Sequence, residues 1–358
     1  MYKRSAVLSL FLPATLLLSQ SVHSAPAADQ WQALNVQLSQ QHILPRYQSL
    51  ASSSAQLKQT TAALCQQPGE DQLNASRSAF HQTMDAWQGI QHIQFGPVEF
   101  LMRNFSLQFW PDKKNLTSKQ LNALLSAKDD SSLNADYFRG ASIAVKGLPA
   151  LERLLFSDKP LSPYGCQLTH AIATNVSLMS HEIAQEWESQ QLPRINNASN
   201  GSDYYEDSIE ASTELMKALV EPVEVIRDLK LLRPLHKSAQ KAKPRRSESW
   251  RSERSLRNVR INLAALAELY RGSDTSSVKA LLQAEGKVAL AQTIDNHFRG
   301  LDQQLAAIDK PLFDTVKDPK GHQQLRDISA QMKILHAELE QAMQVLEIQL
   351  GFNSRDGD

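Results

Sequence analysis

The chain has 358 residues, with 38 Lys and Arg against 38 Asp and Glu, and is 42% hydrophobic and 6% aromatic. Balanced charge gives no electrostatic reason for a nucleic-acid partner, whose phosphates call for clustered cations. Only 13 Gly and 15 Pro are present, concentrated between periodic segments, which excludes a fibrous or disordered chain and points to a helix-rich globular one.

Residues 1–25 have the order of a secretory signal peptide. Lys3 and Arg4 precede an apolar run over 6–18, and small residues follow at Val22, Ser24, Ala25 and Ala27. Cleavage is expected near residues 24–27; the competing reading is an uncleaved anchor. The apolar core, and every later stretch, falls short of the roughly 18 to 20 uncharged residues a membrane span requires. No cysteine near the cleavage region could accept a lipid, so a soluble exported protein is expected, periplasmic in a cell with two membranes. Without Lys3 and Arg4 the mature chain is slightly acidic.

Helical periodicity runs through nearly all the remainder, and strand alternation is almost missing. The spacing predicts helices over 31–50, 52–65, 70–93, 118–126, 135–156 and 163–190. In the third, Phe80, Met84, Trp87 and Ile90 recur three or four apart and form one core stripe. The turn formers Asn196, Asn197, Ser199, Asn200, Gly201 and Ser202 then break the pattern. A second set is predicted over 204–232, 249–270, 276–284, 286–308 and 321–350. An all-α protein of two packed helical bundles follows, divided as 26–195 and 203–358. Ser247 or Ser249 is a candidate cap for the helix at 249, and Gly351 for the end of the last helix.

Cys65 and Cys166 are the two cysteines. In an exported chain an even count permits a disulfide; the alternative is two unpaired buried thiols. Between the predicted helices of the second set, residues 233–246 crowd Lys237, Lys241, Lys243, Arg245 and Arg246 around Pro234 and Pro244. This run reads as a solvated loop or as a site for an anion or acidic partner.

The stretch Val145-Lys146-Gly147-Leu148-Pro149-Ala150-Leu151-Glu152, followed by Arg153-Leu154-Leu155, resembles the Gly-x-His-x-x-Glu signature of imelysins. These are bacterial envelope proteins named for a proposed metallopeptidase activity and linked to iron uptake. Three further segments agree in order. Asp85-Ala86-Trp87-Gln88-Gly89 leads into Phe95-Gly96-Pro97-Val98-Glu99, Trp250-Arg251-Ser252 resembles a family helix start, and the chain ends Gly351-Phe352-Asn353 then Asp356-Gly357-Asp358. The resemblance implies two helical bundles side by side, with a site in the groove between them. Carried over, the ligand surface would include Glu99, Gly147, Pro149, Glu152, Trp250, Arg251, Ser252, Asp356 and Asp358.

Pro149 stands in the histidine slot. His and Glu at i and i+3 share a helix face and could hold a metal together, whereas Pro offers no ligand atom. Unless it falls in a first turn, Pro would also disturb the helix, so a helix start or kink is expected here. Glu152, on a mostly apolar face, needs a partner if buried, and Arg251 or Arg254 is the candidate.

Other chemistry has weak support. His81 with Asp85, and His336 with Glu340, sit at i and i+4 and read as surface contacts more readily than as metal sites. His181, Glu182 and Glu186 read as a solvated acidic face. There is no His-Glu-x-x-His, no Gly-x-Ser-x-Gly elbow and no Cys-x-x-Cys-His haem site. The expectation is a non-catalytic binding protein associated with iron acquisition, with no assigned cofactor and iron or zinc as the alternatives. Its partner is an unknown ligand or envelope protein. The enzyme alternative is a metal-dependent peptidase with a rearranged site of Glu152 and His81 or His92. An adaptor that docks through the basic loop is a third class.

Overall fold

The computed structural model describes residues 25–273 and 276–351. The expected signal peptide, apart from its last residue, and Asp356 and Asp358 lie outside the described residues. Among those described there is no strand.

The chain runs α1 (Ala28–Leu38), α2 (Leu44–Gln66), α3 (Glu70–Gln88), α4 (Arg103–Leu107), α5 (Leu116–Ala127), α6 (Ala135–Gly140), α7 (Leu148–Leu155), α8 (Pro163–Glu186) and α9 (Leu192–Asn196). It continues through α10 (Ser208–Val225), α11 (Arg233–Leu235), α12 (Ser255–Arg271), α13 (Val278–Ala284), α14 (Val288–Ala306), α15 (Leu312–Thr315) and α16 (Pro319–Val345). In one bundle α2 packs on α3 and α8, with α7 against α3 and α8. In the other α16 packs on α10 and α14, and α12 on α14. The bundles meet where α1 lies along α10 and α12 crosses α3.

Phe80, Met84, Trp87 and Ile90 are all buried, as their spacing predicts. The two cysteines are bonded, with Cα atoms 5.5 Å apart and a sequence separation of 101. Closing a loop of that length contributes about 4 to 5 kcal/mol in the chain-entropy account, by restricting the unfolded chain.

Three long helices widen into a π turn just before a proline. The turns are Ser39–Ile43 before Pro45, Trp187–Gln191 before Pro193, and Ile226–Leu232 before Pro234. In each, the residue preceding the proline donates its N–H five residues back: Leu44 to Ser39, Leu192 to Trp187, Arg233 to Asp228. A proline inside a helix removes one N–H and its ring collides with the carbonyl four residues earlier. One extra residue in the turn relieves that collision, so the helix continues instead of breaking. This is why α1 runs on into α2 through Pro45; the interruption expected near residue 51 does not form, and α2 is unbroken from Leu44 to Gln66.

Other expectations are corrected. The predicted helix over 135–156 is two, α6 and α7, because 141–147 leaves helical geometry and Asn175 Nδ2 donates to the Lys146 carbonyl at 2.8 Å. The helix expected from 249 begins at Ser255, capped by Arg254 without a side-chain bond, so neither Ser247 nor Ser249 is its cap. The last helix ends at Val345, and the residue turning it out in left-handed geometry is Glu347 (φ 57°) rather than Gly351.

Candidate functional site

The Gly147–Glu152 segment starts α7. Gly147 is its N-cap in extended geometry and Pro149 falls in the first turn, where a missing N–H costs nothing. Glycine is required at 147 by close approach: an added Cβ would lie 2.6 Å from the Leu107 carbonyl oxygen and nearer still to that of Ser106. Leu148, Leu151, Leu154 and Leu155 fill the core, which leaves Glu152 turned to the second bundle.

Glu152 is 6% exposed. Its Oε1 accepts from the Ser252 N–H at 2.9 Å and the Ser252 Oγ–H at 2.7 Å. Burial raises its pKa, while the Ser252 bonds and then the Arg251 and Arg153 charges oppose the rise. Its direct partner is therefore a serine, and Arg251 acts only through its field. Arg254, the other expected partner, reaches across to Asp85, which also takes Arg257. His81 Nδ1 stands 3.1 Å from Arg254.

Two cavities flank this region and share Trp110 and Pro111. The smaller, about 460 Å³, is lined by Pro149, Glu152, Trp250 and Arg251, together with Arg153 and three residues of the basic run, Arg233, Arg245 and Arg246. The larger, about 650 Å³, is lined by Trp87, His92, Glu99, Glu214, Lys230 and Glu248. Glu99 thus lies in a different cavity from the other expected ligand residues. Gly147 and Ser252 line neither; one sets the backbone approach and the other holds Glu152.

A buried charge pair forms one wall of the larger cavity. Lys230 Nζ lies 2.9 Å from Glu248 Oε2, 2.8 Å from Gln88 Oε1 and 2.7 Å from Asn262 Oδ1, using all three ammonium hydrogens. Glu248 also accepts from Gln108 at 2.6 Å and Asn258 at 2.9 Å. Burial lowers the Lys230 pKa and Glu248 opposes the fall. Residues 247–255 thereby knit the site: Glu248 faces one cavity, Ser249, Trp250 and Arg251 the other, and Ser252 clamps Glu152. Left-handed geometry at Ser249 (φ 49°) and Glu253 (φ 56°) makes this tight path.

The other candidates resolve individually. His92 is buried with Nε2 2.9 Å from His42 Nε2, and burial takes its pKa down to about 3. Glu182 and Glu186 are not simply solvated: buried Arg103 lies between them, 3.1 Å from the first and 2.6 Å from the second. His336 Nδ1 stands 3.6 Å from Glu340. Among the described residues no three His, Cys, Asp or Glu side chains are placed to hold a metal ion. No described helix is long and apolar enough to cross a membrane.

The imelysin family model matches residues 43–339. Iron-regulated protein A of Synechococcus elongatus is 26% identical over 292 residues, covering 78% of this chain and 77% of that protein. The solved structure of an imelysin-like protein from Psychrobacter arcticum 273-4 superposes with a TM-score of 0.77 at 18% identity, over 91% of this chain and 98% of that one. A chain from Parabacteroides distasonis ATCC 8503 gives 0.75 at 15%, over 89% and 96%. With the family model covering most of its length, the chain belongs to the imelysin family.

Proposed function

We propose that this protein is an exported, periplasmic binding component associated with iron acquisition, which recognises its ligand at the cleft between the bundles without covalent chemistry. The observation that carries this reading is the pairing of Pro149 with a tethered Glu152. One position of the signature has no ligand atom, and the carboxylate oxygen of the other is held by two bonds from Ser252. A general base of a peptidase has to face the water it activates. The iron association is supported by the resemblance to an iron-regulated relative. Export is supported by the charged and apolar order of residues 1–25. The ligand surface is assigned to Pro149, Glu152, Trp250 and Arg251, with Ser252 and Gly147 shaping it. The N-terminal bundle is assigned to 26–195 and the C-terminal one to 203–358.

Incubation of the purified protein with unfolded casein, with and without a chelator, tests the reading. No cleavage above a heat-killed control is expected. Chelator-sensitive cleavage that is lost in Glu152→Gln would overturn it.

A further inference from the structure

The smaller cavity carries far more positive charge than its own carboxylates can balance. Six cations line it, Lys113, Arg153, Arg233, Arg245, Arg246 and Arg251, against Asp112 and Glu152. Both acids are already engaged. Asp112 accepts from the Leu116 and Thr117 amides at 2.8 and 2.9 Å and stands 3.9 Å from Arg153, and Glu152 is held by Ser252.

Four of the arginines lack a direct acidic contact, and Arg251 feels Glu152 only through its field. Among the described residues, Arg233, Arg245, Arg246 and Arg251 make no ion pair and donate no side-chain hydrogen bond. The Arg251 guanidinium carbon lies 4.1 Å from the centre of the Trp250 ring, that of Arg245 lies 5.8 Å from the same ring, and Trp250 stacks on Phe313 at 5.6 Å. The stack presents guanidinium groups on a fixed platform. Burial, followed by repulsion from Arg153, pulls the Arg251 pKa down to about 10. Arg233 and Arg246 likewise repel each other.

Two interior polar atoms of the same cavity are unpartnered. Ser247, 2% exposed, has a buried Oγ without a hydrogen-bond partner, and Arg233 Nη1 is buried and equally unbonded. Buried donors left open cost free energy that a bound acceptor would recover.

We propose that this cavity binds a small multivalent oxyanion, a polycarboxylate or a phosphate. Planar guanidinium forks match those groups two bonds at a time, and Ser247 Oγ supplies a neutral donor. A volume of about 460 Å³ suits a small molecule, and the open donors inside a concavity favour that occupant over an extended acidic polypeptide. The assignment rests on the reading of the cleft as a ligand site and names the chemistry of its ligand.

Isothermal titration calorimetry with citrate, ferric citrate, inorganic phosphate and a glutamate-rich peptide tests it, on the parent, Arg233→Gln, Arg251→Gln and Arg139→Gln, a surface control. One equivalent of citrate, ferric citrate or phosphate is expected to bind. Each cavity variant should weaken it roughly tenfold to a hundredfold and the control should not. Preference for citrate would assign the carboxylate class and preference for phosphate the phosphoryl class. Thermal melts separate recognition from structure: Arg251→Gln relieves repulsion, so its ligand-free melting temperature should not fall, while its ligand-induced shift should shrink. No small anion bound at about 1 mM, anion binding unchanged in both cavity variants, or binding of the peptide alone would overturn the proposal. A negative titration without casein cleavage removes the anion assignment and leaves the binding role intact.

Discussion

The Glu152 carboxylate and the Ser252 main-chain and side-chain donors close the two bundles onto each other, at 2.9 and 2.7 Å, inside a region only 6% exposed at Glu152. The residue that the family signature offers for chemistry is here a joint between the two halves of the chain.

That joint has a pH signature. Burial holds the Glu152 pKa above its ordinary value, so the folded chain keeps this proton more tightly than the unfolded chain does. The stability from this group is complete below the ordinary carboxylate range and lost as pH rises through the elevated value. Glu152→Gln keeps an acceptor and removes the charge. Its stability relative to the parent should improve from about pH 4 to about pH 8 in urea unfolding, and a pH-independent difference would contradict the assignment.

Gly147→Ala should be the most damaging small substitution in the motif. The new methyl would meet two fixed carbonyls, those of Ser106 and Leu107, and must push apart the end of α4 and the start of α7. We expect a loss of at least about 3 kcal/mol in denaturant unfolding, or no soluble protein. A variant of parental stability would mean that this approach is looser than described.

Lys230 and Glu248, 4% and 2% exposed, depend on each other. Lys230→Met should cost about 3 to 5 kcal/mol, because Glu248 stays buried without its countercharge. Adding Glu248→Gln, which keeps acceptors for Gln108 and Asn258, should recover part of that loss. A double-mutant cycle measures the coupling, and simple additivity would refute it.

The buried histidines predict acid sensitivity. Burial lowers both, His92 to about 3, with His42 pushed further by His92 and Arg46. The unfolded chain therefore binds these protons first. Stability from the pair is present above the ordinary histidine value and falls away as pH drops toward the folded one. Replacing both, His42→Leu with His92→Leu, should flatten the acid limb of a stability–pH curve by about 1.4 kcal/mol per pH unit for each group. His81, lowered to about 4, leaves a residual slope.

The fold was largely legible because apolar spacing reports which face of a helix is buried, and the stripe from Phe80 to Ile90 illustrates it. Pro149 read as a helix start or a kink, and the start is what forms, since a first turn is where a ring without N–H fits. What periodicity misses is where polar groups go. Charge patterns read as solvated faces, so Arg103 between Glu182 and Glu186 and the Lys230–Glu248 pair gave no signal. The break at 141–147 was hidden because its residues, Lys146 apart, are small or apolar. Ser252 as the partner of Glu152 depends on a tight turn through Ser249 and Glu253 with no glycine to announce it.

The most direct test of the central claim is the metal content of the purified protein after dialysis against zinc and iron, beside Pro149→His and Glu152→Gln. If the cleft acts by recognition, the natural protein holds well under about one equivalent, and Glu152→Gln does not change it. A stoichiometric metal that disappears in Glu152→Gln would contradict the account and return the site to metal-dependent chemistry.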